Sequence, residues 1–135
     1  MIPARRWQNL QMPRSPQLPA MIIDSHCHAG KGDGLTGPWD TDASLDRYLQ
    51  RAWRAGITRT VLLPAFHSNY REANRKIAAI AATDPARFIC YAMVHPERDA
   101  GRIQMMVREA VESYGFRGIK AGQTRPFHPG PQQET

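Results

Sequence analysis

From Met21 onward, apolar runs of strand length alternate with stretches whose apolar residues recur at helical spacing. The first run is Met21-Ile22-Ile23-Asp24-Ser25-His26-Cys27-His28, followed by a glycine-rich loop from Gly30 to Gly34 that extends to Gly37-Pro38. Leu45, Tyr48, Leu49 and Ala52 then follow the i, i+3, i+4, i+7 rule of an amphipathic helix. Asp40, Thr41 and Asp42 are candidate N-caps for it, and Gly56 is placed to end it. A second run, Ile57 to Phe66, centres on Thr60-Val61-Leu62-Leu63. A second helix starts near Ser68 or Asn69, buries Tyr70, Ala73, Ile77 and Ile80, and stops before Pro85. Phe88 to Val94 is the third run, and the stripe Ile103, Met106, Val107, Ala110, Val111, Tyr114 predicts a third helix ended by Gly115. Phe116 to Lys120 is the fourth run.

Strand starts fall about thirty residues apart, the length of a right-handed βαβ crossover. The expected class is therefore α/β, a parallel sheet of four βα units. After Lys120 the rhythm stops, and the fourth strand has no helical stripe behind it. Residues 1–20 carry Pro3, Pro13, Pro16 and Pro19, and residues 121–135 carry Pro126, Pro129 and Pro131. Both ends read as disordered segments flanking one domain, residues 21–120. Met21 opens the first strand directly and is an alternative start to Met1.

Composition narrows the function. With 41% hydrophobic and 22% charged residues, the chain belongs with globular proteins. No apolar run approaches the ~18 residues of a membrane span, so no membrane partner is expected. The net charge is +6, but Arg5, Arg6 and Arg14 supply half of it in a head with no acidic residue. The remainder is mixed in sign, without an aromatic-interleaved basic stripe, and nucleic acid is not an expected partner. Arg5-Arg6 is followed by no apolar core and is no export signal. Cys27 and Cys90, the only cysteines, lie in apolar runs and read as reduced buried thiols of a cytoplasmic protein.

The chemistry concentrates on the first strand. Period-two geometry puts His26 and His28 on one face, about 6.5–7 Å apart along the backbone. They sit at the C-terminal end of the strand, where parallel α/β folds place their ligands. Two such imidazoles can converge on one metal ion. The competing reading is a pair of histidines bonded to loop backbone; the apolar run before them and the glycine-rich loop after them favour metal ligands. His67 and His95 follow the second and third strands on the same edge; the favoured reading is exposed loop histidines, the alternative residues that line the pocket or substitute as ligands. His128, in the proline-rich end, has no assigned role. Asp24 is expected to face as the histidines do, one residue pair deeper, orienting His26 or pairing in the sheet. Gly30–Gly34 lacks phosphate-loop spacing and reads as a mobile loop beside the site.

The run Ile22-Ile23-Asp24-Ser25-His26-Cys27-His28 resembles the opening strand of the amidohydrolase-related enzymes, the group that includes aminocarboxymuconate-semialdehyde decarboxylase. The resemblance continues through Gly56-Ile57-Thr58-Arg59-Thr60-Val61, Asn74, Pro85-Ala86-Arg87-Phe88 and Gly115-Phe116-Arg117-Gly118-Ile119-Lys120, and covers residues 21–120. It implies a TIM (β/α)8 barrel in which the paired histidines hold a divalent metal, zinc by preference. That metal would activate water or polarise a small-molecule substrate for hydrolysis of C–N or C–O bonds or for non-oxidative decarboxylation. A barrel needs roughly 250 residues, so 135 residues amount to its N-terminal half. Family members complete the metal site from later strands. The chain is therefore expected to be a truncated form, inactive alone, with His26 and His28 as half of a metal site and no catalytic residue assigned. A lysine where Lys120 stands is carboxylated to bridge two metals in binuclear members. The resemblance here is to the mononuclear group, and the following Ala121-Gly122-Gln123 departs from its pattern, so Lys120 is expected to contact an anion or to be structural. The alternative function is a non-catalytic half-barrel acting through self-association or a partner at its bare strand edges.

Overall fold

The computed structural model describes residues 20–35 and 42–122. Of the ends expected to be disordered, residues 1–20 and 121–135, all but 20, 121 and 122 lie outside the described residues. The elements run β1 (Ile23–Ala29), α1 (Leu45–Arg54), β2 (Arg59–Pro64), α2 (Tyr70–Ala81), β3 (Phe88–Val94), α3 (Ile103–Arg108) and β4 (Gly118–Ala121). The four strands form one parallel sheet in the order β1-β2-β3-β4. Among the described residues this is the architecture of three consecutive βα units and a fourth strand, the first half of a (β/α)8 barrel without its fourth helix. Ala121 extends β4 one residue past the expected limit, and the Gly122 amide still bonds to the Val94 carbonyl. No helix among the described residues is long and apolar enough to cross a membrane.

Local chemistry accounts for most boundaries. The α1 cap is Ser44, whose hydroxyl accepts the Asp46 amide; Asp42 precedes the helix, and Asp40 and Thr41 lie outside the described residues. Arg51 and Arg54 in the last turn suit the negative end of the helix dipole. Gly56 follows at φ +74°, a left-handed conformation that only glycine adopts without strain. Asn69 caps α2 by accepting the Glu72 amide, as its sequence position suggested.

Some expected core positions lie further out than their stripes imply. Ile80 is only partly buried, and Val111 is 50% exposed. The cause at Val111 is a widened π-helical turn over Glu109–Ser113, closed by the Tyr114 amide on the Glu109 carbonyl. One extra residue in that turn breaks the 3.6-residue stripe while keeping Ala110 and Phe116 in the core.

Leu49, Leu62, Ile77, Phe88, Cys90 and Phe116 form the main core between helices and sheet. A second cluster of Leu63, Tyr70, Met93, Val94 and Met106 lies nearer the C-terminal ends of the strands. There β2 and β3 part: their ladder ends at the Leu62–Cys90 pair. Asn74 of α2 fills the gap, its amide nitrogen donating to the Met93 carbonyl at 2.9 Å and its oxygen accepting the Met93 amide at 2.8 Å. Those main-chain groups are thus satisfied where no strand neighbour reaches them.

Candidate metal centre

His26 and His28 end β1 as its alternation implies, and their rings meet. The two Nε2 atoms lie 3.1 Å apart. Zinc–nitrogen bonds of about 2.0–2.1 Å at tetrahedral angles place two ligand nitrogens about 3.3–3.4 Å apart, so the pair stands near the spacing a shared ion imposes.

Proton bookkeeping sharpens this. His28 Nδ1 lies 2.7 Å from the Pro64 carbonyl, which can only accept, so Nδ1 carries the proton and Nε2 is a bare lone pair. Lys120, at the end of β4, brings its Nζ to 3.3 Å from His26 Nε2. An ammonium can only donate, so in this contact His26 Nε2 is the acceptor. The two Nε2 atoms stand at hydrogen-bond distance, 3.1 Å, a gap that either one shared proton or one shared cation can bridge. That arrangement suits a cation held in common. Burial holds the His28 imidazole below its usual pKa against the opposing Pro64 bond, and the positive charge of Lys120 adds to the depression. Locking one ring nitrogen on a main-chain carbonyl is how metal-binding histidines are oriented. The donor set therefore fits a divalent metal through two ligands, and among the described residues no cluster of three or more His, Cys, Asp or Glu forms around one point.

His67 and His95 have the opposite protonation pattern. Both are buried, against the expectation of exposed loop positions, at 7% and 8% exposure. The Asn69 amide donates to His67 Nδ1 at 3.0 Å, and the Glu97 and Arg98 amides point at His95 Nδ1 at 3.3 Å. A neutral ring that accepts at Nδ1 carries its proton on Nε2, so neither offers a bare Nε2. Both are held as loop braces. The Asp99 carboxylate locks the second loop further, accepting the His95 amide at 2.8 Å and Arg102 Nη2 at 2.6 Å.

Asp24 departs from its expected direction. A register shift between Asp24 and Cys27 inserts an extra residue in β1, and the carboxylate turns towards α1. The Tyr48 hydroxyl donates to Asp24 Oδ2 at 2.7 Å and lies 2.8 Å from Thr60 Oγ1, while Asp24 Oδ1 accepts the His26 amide at 3.0 Å. Asp24 therefore steadies His26 through its main chain rather than its ring. Burial, with Asp24 beside it, pushes the Tyr48 phenol up to about 12.

The glycine-rich loop is tethered. Asp33 accepts both the amide and the hydroxyl of Ser68, joining the β1–α1 loop to the β2–α2 loop at the site's rim. Its Oδ2 also lies 3.4 Å from His67 Nδ1, a longer contact than the 3.0 Å amide bond that nitrogen already accepts. Cys27 and Cys90 are free thiols, and burial raises each to about 11, so neither is a ready nucleophile.

No family model and no curated protein matches the sequence. Among solved structures, the fold is similar to that of 2,6-dihydroxybenzoate decarboxylase from Rhizobium, with a TM-score of 0.55 and 20% identity. The match covers 83% of this chain and 44% of the decarboxylase, so the chain spans less than half the length of that enzyme.

Proposed function

We propose that this chain carries the first two metal ligands of an amidohydrolase-type enzyme, with His26 and His28 holding a divalent metal, zinc by preference. The observation that carries the reading is the facing pair of Nε2 atoms 3.1 Å apart, with one ring oriented by the Pro64 carbonyl. Structural likeness to a decarboxylase supports the same general kind of chemistry on the shared half-barrel. When bound, such a metal supplies Lewis acidity for hydrolysis of a C–N or C–O bond or for non-oxidative decarboxylation of a small molecule. His26 and His28 bind it; the Pro64 carbonyl holds the His28 imidazole, and Asp24 holds the His26 main chain; the Asp33–Ser68 tether shapes the rim.

Two protein ligands leave the remaining coordination to water, so affinity is expected to fall well below that of a closed three- or four-ligand site. Titration calorimetry with zinc on the 135-residue chain should show weak binding that His26→Ala/His28→Ala abolishes. Zinc binding by the double variant equal to the parent's would overturn the assignment. Turnover by this chain alone is expected to stay at background.

A second reading is favoured by one observation. Ile22 and Ile23 at β1 and Ile119 in β4, the outer strands of the described sheet, are 44%, 44% and 40% exposed. Such edges pair with other strands, which supports a non-catalytic half-barrel that self-associates. Sedimentation equilibrium separates the two, since a monomer at all concentrations contradicts self-association.

A further inference from the structure

We infer that Lys120 couples metal binding at the His26–His28 pair to the binding of a carboxylate anion; this rests on the metal reading above and names the kind of ligand its site takes. Lys120 comes from β4, 94 residues along the chain from His26, yet its ammonium sits 3.3 Å from the nitrogen that a metal must use. It thereby occupies the His26 lone pair, and a cation arriving there meets a like charge at contact range.

No carboxylate among the described residues offsets that charge. Lys120 takes part in no ion pair there. Asp24, the nearest in sequence to the pair, is turned to Tyr48, and Asp33 is bonded to Ser68. The described residues thus gather a lysine and two imidazoles at the site, with a dication to come and no carboxylate among them to balance the charge. Lys120 is only partly buried and His26 is exposed, so a small solute reaches both.

A carboxylate resolves the conflict. One of its oxygens accepts from the ammonium, drawing the flexible lysine stem off His26 Nε2, while its negative charge offsets the incoming cation. A single ammonium calls for a singly charged oxyanion. Metal and carboxylate then favour each other, and the coupling is reciprocal: each tightens the other by the same factor.

The test is zinc affinity, read by competition with a chromophoric chelator at fixed pH and ionic strength, in chloride, acetate or sulfate. The full chain is compared with Lys120→Met, Lys120→Arg and His26→Ala/His28→Ala, with circular dichroism confirming that each is folded. Acetate should tighten zinc binding to the parent about 5–10-fold, within the usual range of coupling between two sites. Lys120→Arg should keep part of the effect. Lys120→Met should bind zinc more tightly than the parent in chloride and show no acetate effect. An acetate effect undiminished in Lys120→Met, or weaker zinc binding by that variant, overturns the inference; the second result would make Lys120 a ligand. An effect from sulfate in place of acetate overturns the carboxylate class. Zinc binding that survives His26→Ala/His28→Ala, or none by the parent, overturns the metal reading and this inference together. Histidine-dependent zinc binding indifferent to acetate overturns this inference alone.

Discussion

Replacing Asn74 with alanine should cost this fold a large part of its stability, and the structure sets the size. The side chain is 3% exposed and makes two hydrogen bonds, 2.9 and 2.8 Å, to the carbonyl and amide of Met93. Alanine leaves both main-chain groups buried without partners, at the point where β2 no longer reaches β3. Each orphaned group costs about 1–3 kcal/mol, and partial relaxation brings the pair to about 3 kcal/mol. Against about 5–15 kcal/mol for a whole domain, that is a severe loss, equivalent to a fall of about 12–24 °C in melting temperature at this size. Urea denaturation at pH 7 measures it. Asn74→Asp is the sharper control, because a carboxylate still accepts the Met93 amide but sets a second acceptor against the Met93 carbonyl. The new group has its folded pKa raised, so its protonated form is favoured in the native state. Its penalty should therefore grow as pH rises through that pKa and shrink in acid, where the protonated oxygen can donate. A loss below about 1 kcal/mol for Asn74→Ala, or an Asn74→Asp variant that tracks it at every pH, would refute the wedge.

Slight burial pushes the Asp33 carboxyl up, but the Ser68 hydroxyl and amide, with smaller help from His67 and Leu35, outweigh it and hold the group below its ordinary 3.8. The tether's contribution is then complete above pH 3.8 and is lost as pH falls through the lower folded value, so Asp33→Asn should flatten the acid limb of a stability–pH curve; an unchanged limb would exclude the tether as its source. A Cβ at Gly118 would lie 2.7 Å from the Tyr91 ring. Gly118→Ala should therefore destabilise by about 1–3 kcal/mol, and much less in a Tyr91→Ala background; additive costs in a double-mutant cycle would contradict the clash.

The order of strands and helices was legible in the residues, because periodicity and caps are local. Phe88 to Val94 reads as a strand and is one; Gly56 and Gly115 end their helices at φ +74° and +68°; Asn69 caps where its side chain can reach the α2 amides. The His26–His28 pair was likewise visible, since alternation along a single strand puts both rings on one face. What those rings do depends on atoms far away in the chain. The Pro64 carbonyl that frees His28 Nε2 is 36 residues off, and Lys120 is 94 residues from His26. The amides that turn His67 and His95 into braces are near in sequence, but burial of those rings depends on how the strand ends pack. Asp24 shows the limit most clearly. Strict alternation puts it beside the histidines, and a single extra residue in the β1 register turns it to Tyr48 instead. Val111 fails likewise, through one widened turn in a helix whose stripe looked unbroken. A sequence pattern encodes the period of an element; register, bulges and the choice of hydrogen-bond partner are settled only when elements compete for one another's polar groups in the packed fold.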